Sequence, residues 1–224
     1  MPGAGAAVVS PTRSERRLVP GGTAAKARVG LLGGSFNPAH GGHLHISRLA
    51  LERLGLDQVW WLVSPQNPLK PVAGMAPLDE RLARARAIVD DRRIVVTAIE
   101  RDLGTRYAVD TLRLLKRRFP DTRFVWVMGA DNLAQVPRWK RWRTVFRTVP
   151  IAVFARPTYS SRALSGRAAR RFAGARVRAA RAGGLADLRP PAWVFLRTPL
   201  HAASATRIRA RRAVERGRVP GETE

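Results

Sequence analysis

His40 and His43 lie three residues apart in Arg28–His45, RVGLLGGSFNPAHGGHLH, behind one glycine pair and beside another. At that spacing on a helix two side chains share a face, and each imidazole can offer a ring N–H to an anion. Their surroundings suit the same task. Val29, Leu31 and Leu32 read as a short buried strand, which Gly33-Gly34 ends; Asn37-Pro38 adds a second turn signal. Gly41-Gly42 then opens a segment with Leu44, Leu49, Leu51 and Leu54, dense enough in apolar residues for a packed helix. A glycine-rich turn between strand and helix presents backbone N–H groups and the positive helix end to an anion. The stretch predicts a nucleotide-phosphate site.

Two other glycine motifs are excluded. No Gly-Lys-Ser/Thr follows Gly34, as a P-loop requires, and the GxGxxG spacing of dinucleotide-binding turns is absent. What remains resembles the nucleotidylyltransferase superfamily, whose first strand–turn–helix carries GG(S/T)FDPxHxGH. Here the pattern is Gly33, Gly34, Ser35, Phe36, Asn37, Pro38, His40, Gly42 and His43. Asn37 replaces the usual aspartate; it keeps a turn side chain that hydrogen-bonds but loses a charge, and is assigned no chemical role. A second segment, Ala203-Ser204-Ala205-Thr206-Arg207-Ile208-Arg209, is similar to the superfamily's (I)S(S/A)TxIR. Alone it would be a plain helix cap. Paired with the first motif, it places Ser204 and Thr206 on triphosphate oxygens and Arg209 on a phosphate.

The elements between these motifs alternate. Gln58–Val63 reads as a strand, followed by a proline-punctuated loop over 64–71 that contains Asn67 and Lys70. A helix over Pro77–Asp90, a strand over Arg93–Ala98 and a helix over Tyr107–Phe119 come next. Thr122–Met128 is a fourth strand, running into Gly129-Ala130-Asp131-Asn132, and a short helical piece carries Trp139 and Trp142. Val149–Phe154 is a fifth strand before Arg156-Pro157; Ser165–Ala182 reads as one arginine-rich helix with a solvated face. Ala192–Leu196 is a sixth strand and Ser204–Arg216 a last helix, with Ser204 or Thr206 near its N-cap. Such alternation predicts an α/β fold: a single, Rossmann-like domain with a doubly wound parallel sheet and helices on both faces. Ligands bind such sheets beyond the carboxyl ends of the strands. Gly33–His43, Asn67–Lys70, Gly129–Asp131, Arg156 and Ser204–Arg209 all fall there. The domain is expected over 28–216, with residues 1–27 a disordered extension rich in Gly, Ala, Pro, Ser and Arg, and 217–224 a flexible tail.

Internal segments narrow the resemblance to bacterial nicotinate-nucleotide adenylyltransferase. Gln66-Asn67-Pro68-Leu69-Lys70 sits at that family's loop ending in a basic residue, Thr105–Leu112 resembles its (S/T)YTxDTL segment, and Gly129-Ala130-Asp131-Asn132-Leu133 with Trp139 and Trp142 its GxDxL…W…W segment. The resemblance spans Arg28 to about Arg212. It implies ATP and nicotinate mononucleotide as substrates, with Mg²⁺ accompanying ATP and held by phosphate oxygens and water. It implies an ATP site of Gly33, Gly34, Ser35, Phe36, His40, His43, Gly129, Asp131, Ser204, Thr206 and Arg209, with His40, His43 and Arg209 catalytic. The mononucleotide falls to Asn67, Lys70, Thr105, Tyr107, Ala108, Trp139 and Arg156: Trp139 stacks on the pyridine ring, and backbone groups near Tyr107 and Ala108 read the carboxylate. Ala108 departs from the family's threonine. Trp142 is read as core, and Asp131 either holds a ribose hydroxyl or caps the helix that follows.

Composition sets the remaining bounds. The 224 residues contain no cysteine, which removes disulfides, thiolate metal sites and cysteine nucleophiles. No apolar run approaches a membrane span, and the charges near the N-terminus follow its apolar residues, the reverse of a secretory signal; the reading is cytoplasmic and without a membrane. The net charge of +25 is almost all arginine scattered along the chain, without interleaved aromatics, so no specific nucleic-acid partner is read from it. The rivals are set aside in turn. No basic stripe or binding module supports a basic nucleic-acid-binding protein. Phosphopantetheine adenylyltransferases are shorter and lack the GADN…W…W segment, and cytidylyltransferases carry a different C-terminal signature. A class I aminoacyl-tRNA synthetase needs far more chain and a KMSKS-like loop. Oligomeric state stays open, a homo-oligomer being compatible.

Overall fold

A computed structural model of the chain describes residues 26–66, 74–156 and 158–197. Seven strands form one parallel sheet: β1 (Arg28–Gly34), β2 (Gln58–Val63), β3 (Ile94–Thr97), β4 (Arg123–Gly129), β5 (Ile151–Phe154), β6 (Arg176–Val177) and β7 (Trp193–Leu196), in the order β3-β2-β1-β4-β5-β7-β6. The chain winds outward from β1 through β2 to β3, then returns to β4 on the other side. The strand order therefore reverses between β1 and β4, where an open α/β sheet leaves a crevice for ligands. Residues alternate across β1 and β2: Leu31 and Trp60 enter one buried layer, Leu32 and Trp61 the other.

The first layer is covered by α3 (Ile99–Asp102), α4 (Ala108–Arg118), α5 (Ala130–Gln135), α6 (Trp142–Thr148), α7 (Ser160–Leu164) and α8 (Arg167–Arg171). The second lies under α1 (Gly41–Arg53), α2 (Leu78–Ile88) and a 3₁₀ stretch, Ala179–Asp187. Expected strands and helices up to β5 appear with ends displaced by a residue or two, except the short helical piece: Trp139–Arg141 form a turn, and the helix begins only at Trp142. The single domain with a doubly wound sheet is observed.

Ser165–Ala182 is not one helix. Gly166, extended at φ −73°, ψ 165°, separates α7 from α8, and the chain then makes a 3₁₀ turn at Ala173–Ala175 and runs into β6. The buried residues explain the break. Phe172 stacks on Phe146 at 4.4 Å in one layer, while Val177 and Ala182 pack into the other, whereas a helix would carry a single apolar stripe. Arg176 lies over the rings of Trp193 and Phe195, at 5.3 and 6.0 Å from their centroids. The strand expected sixth is thus seventh. The last helix, Ser204–Arg216, and the tail 217–224 lie outside the described residues, as does the extension apart from Lys26 and Ala27.

Gly33 is required by close approach. A Cβ there would lie 2.8 Å from Trp126 Cη2, across the β1–β4 pairing. Gly33→Ala is expected to lose about 1–3 kcal/mol through overpacking against the indole; urea unfolding that matches wild type would show that the contact yields freely.

Candidate active site

The turn after β1 is held from three directions. Phe36 adopts a left-handed backbone (φ 48°), unusual for a bulky residue, and its ring is buried against Trp61 at 5.0 Å in a stacked arrangement. Trp61 is pinned in turn: its indole N–H donates to Ser47 Oγ at 2.7 Å, and Ser47 Oγ donates to the His43 carbonyl at 2.8 Å. The Asn37–Pro38 bond is cis, and Asn37 Nδ2 donates to the Gly74 carbonyl at 3.0 Å. This is the use of Asn37 that sequence left undefined: it ties the turn to the approach to α2.

His40 is the N-cap of α1 and is buried. Its Nδ1 accepts the Gly42 N–H at 3.1 Å, and His43 Nδ1 accepts the His40 N–H at 3.2 Å, so two imidazoles close a capping box usually made by hydroxyl and carboxyl groups. A ring nitrogen that accepts a backbone N–H carries no proton. In the neutral ring the proton then resides on Nε2, an assignment that follows from the hydrogen bonds. The rings lie 3.9 Å apart, with Phe36 at 4.6 Å from His43. The helix start thus carries two imidazole donors of fixed tautomer, tilted against one another and against the aromatic rings beneath them.

At the end of β4, Gly129 has room for no side chain, since a Cβ would collide with Asp131 Oδ1 and lie 3.2 Å from Arg156 Nε. Asp131 and Arg156 form an ion pair, Nε to Oδ1 at 3.4 Å, which spans the ends of β4 and β5. Trp139 is half-buried and meets Trp126 edge to face at 6.1 Å. Trp142, by contrast, is buried against Phe146 and Phe172, as expected for core. Lys140 Nζ sits 4.2 Å above the Tyr107 ring, bringing the Trp139 segment to the start of α4. Tyr107 is the extended N-cap there, and no side chain caps the helix, so its first-turn N–H groups suit a carboxylate. Asn67, Lys70, Ser204, Thr206 and Arg209 lie outside the described residues.

Three groups were not singled out from sequence. Arg81, only 1% exposed, donates to four carbonyls: Ser35 and Ser64 from Nη1 at 2.7 Å each, Pro65 from Nη2 and Ala76 from Nε at 2.9 Å each. Burial lowers its pKa. Glu100, buried on α3, accepts from Thr111 Oγ1 at 3.2 Å and bonds the Ser64 side chain, while its carbonyl accepts the Thr105 N–H at 2.9 Å. Thr105 and Thr111 hydroxyls meet at 2.9 Å. Lys140 is the third. In a chain so rich in arginine, nothing local distinguishes Arg81 from its neighbours; its place among apolar residues Leu78, Leu82 and Ala85 of α2 was the available signal.

Desolvation raises the Glu100 pKa, its hydrogen bonds to Thr111 and Ser64 opposing the shift only in part. A carboxyl that holds its proton more tightly in the folded chain makes stability fall as pH rises from the ordinary glutamate value, near 4.3, toward the folded one. Glu100→Gln removes that loss. The difference in melting temperature between Glu100→Gln and wild type is expected to shift in favour of the variant between about pH 4 and pH 7; a difference constant with pH would show that Glu100 ionises as it does in the unfolded chain.

Known proteins extend these observations. A sequence model of the family described as cytidylyltransferase-like matches residues 31–211. A protein of Gluconacetobacter diazotrophicus named "Probable nicotinate-nucleotide adenylyltransferase" is 54% identical over 199 residues, covering 89% of this chain and 93% of its own. Its namesake from Parvibaculum lavamentivorans is 56% identical over 184 residues, 82% of this chain and 92% of that one. Among solved structures, nicotinic acid mononucleotide adenylyltransferase of Plasmodium falciparum, complexed with APC or with NaAD, shares the fold at a TM-score of 0.61 and 13% identity, covering 82% of this chain and 83% of that chain. The doubly wound sheet with its histidine-capped first helix is therefore that of a nucleotidyltransferase: the chain belongs to the cytidylyltransferase-like family and, within it, to the nicotinate-nucleotide adenylyltransferases.

Proposed function

We propose that the chain transfers the adenylyl group of ATP to nicotinate mononucleotide, giving nicotinate adenine dinucleotide and pyrophosphate. One observation carries this reading beyond family membership: the His40–His43 capping box, which puts two ring donors of fixed tautomer at the positive end of a 13-residue helix. An oxygen of the mononucleotide's phosphate attacks the α-phosphorus of ATP. The bond from that phosphorus to the bridging oxygen breaks, and its electrons leave with pyrophosphate. A phosphate monoester is largely ionised at neutral pH, its second pKa being about 6, so no general base is needed. What the site must supply is positioning and donors aimed at developing charge.

In this reading His40 and His43 donate from Nε2 to phosphate oxygens, and the Gly33–Phe36 backbone lines the same anion. Ser204, Thr206 and Arg209 are assigned to triphosphate oxygens, and Asp131, oriented by Arg156, takes a ribose hydroxyl. No three His, Asp or Glu side chains among the described residues converge into a metal-holding set. Mg²⁺ entering with ATP would be held by phosphate oxygens and water and would offset triphosphate charge. At the other end Trp139 stacks on the pyridinium ring. The first-turn N–H groups of α4, behind Tyr107 and Ala108, read its carboxylate, and Thr105, Asn67, Lys70 and Arg156 are assigned to the same mononucleotide. A carboxylate is favoured over an amide at a helix start by charge alone, so the hydroxyl that Ala108 lacks is not essential to the preference. We place the reaction in the cytoplasm; no helix among the described residues is long and apolar enough to cross a membrane.

Pyrophosphate release should be measured with ATP and Mg²⁺, offering nicotinate mononucleotide, nicotinamide mononucleotide and phosphopantetheine in parallel. Preference for the nicotinate form is expected; turnover of phosphopantetheine alone would overturn the assignment. His43→Ala is expected to lower turnover about 100-fold or more, with the fold kept and the melting temperature lowered by a few degrees for the lost cap, and wild-type turnover would remove the imidazole from the chemistry. Trp139→Ala should raise KM for the mononucleotide roughly three- to tenfold, the worth of an aromatic contact; an unchanged KM would leave Trp139 a packing residue.

A further inference from the structure

We propose that Arg81 is a positioning residue that sets the separation between the two substrate halves of the site, acting through the main-chain carbonyls of Ser35 and Ser64. The inference rests on the adenylyl-transfer reading. Ser35 belongs to the turn that lines the ATP phosphates, and Arg81 Nη1 donates to its carbonyl. The same nitrogen donates to the carbonyl of Ser64, the residue directly after β2. Ser64 is where the second half is fastened. Its N–H donates to the Gly34 carbonyl at 2.9 Å and its side chain bonds Glu100. Glu100 and Thr111 hold the Thr105–Tyr107 turn: Thr105 N and Oγ1 reach the Glu100 carbonyl, and Thr111 Oγ1 reaches the Tyr107 carbonyl at 3.3 Å. Arg106 adds a bond to Gln66 Oε1 at 3.1 Å. A continuous path of hydrogen bonds therefore runs from the turn behind the imidazoles to the N-terminus of α4, and Arg81 is the junction.

The guanidinium suits that junction for a reason specific to its shape. Its planar fork fixes the directions of its donors, so Ser35, Ser64, Pro65 and Ala76 are held at set mutual angles. A lysine would offer one rotatable centre. Reacting atoms must meet within a narrow range, and a displacement of about 1 Å from a change remote from the chemistry can cost about 100-fold in rate. Neither substrate alone senses the spacing between its own donors and those of the other. A molecule spanning both halves does.

The test uses the full chain and Arg81→Gln, with folding checked by thermal melt. Calorimetry reads the affinity of a non-hydrolysable ATP analogue, of nicotinate mononucleotide, and of nicotinate adenine dinucleotide, which spans both halves; pyrophosphate release reads turnover. Arg81→Gln is expected to bind each half within about threefold of wild type, while dinucleotide affinity falls at least tenfold and turnover about 100-fold. Loss of both half-affinities in step with the dinucleotide would make Arg81 a scaffold residue and overturn the proposal, as would unchanged dinucleotide binding and turnover. Should Arg81→Gln not fold, Arg81→Lys, which keeps the charge without the fork, is expected to show the same split with about tenfold lower turnover; wild-type values there would overturn it. A wild-type chain that binds the ATP analogue but neither nicotinate nucleotide would instead refute the assigned reaction, and the proposal with it.

Discussion

A buried guanidinium with no carboxylate partner among the described residues holds the candidate site together. Taking a charge out of water is costly unless it is paired and hydrogen-bonded, and Arg81 meets that demand with four main-chain oxygens from three segments. The dependence runs both ways. Chain leaving the carboxyl ends of strands has lost its ladder partners, and its carbonyls need donors when buried. One side chain satisfies the turn after β1, the exit of β2 and the approach to α2 at once. The irregular backbone that a phosphate site needs can therefore be packed under a helix instead of being left to water.

The sheet then decides what can reach this junction. Because β1 lies between β2 and β4, the histidine-capped helix, the Ser64 exit and the Gly129–Asp131 corner open at one edge, although they are far apart along the chain. Successive tryptophans on β2 serve opposite layers. Trp61 forms the floor beneath Phe36 and His43, while Trp60 packs edge-on to Phe119 and Phe124 at 5.5 and 5.7 Å. The imidazoles thus rest on the central layer of the protein and not on a loop of their own. Trp126, over Gly33 and against Trp139, links the opposite layer to the Trp139 segment.

Much of this was legible in the residues. The two histidines, the glycine turn and the strand–helix alternation are local signals with strong periodicity, and they survived folding nearly unchanged. Three things were not legible. Arg81 and Glu100 matter through contacts reaching up to 46 residues away in sequence, and the one local sign, Arg81's place on the apolar stripe of α2, does not say what the guanidinium binds. Asn37 was expected to be a turn residue and is also a tie, because its partner at Gly74 lies 37 residues on. The segment after β5 misled for the opposite reason. Its alanines and arginines are good helix formers, but its few large apolar residues must reach two different layers, and tertiary packing broke the helix that propensity favoured.

That broken segment has a consequence for how the molecule behaves among its copies. Among the described residues the sheet ends on one side with β6, and the last strand of an open sheet is a template on which other chains can add and grow. Here the template has only two residues, Arg176 and Val177, and Arg178 follows with its side chain exposed. An incoming strand would find a short ladder and like charges beside it. At high concentration this border should repel rather than recruit, so a helix lost to packing returns as protection against runaway sheet growth.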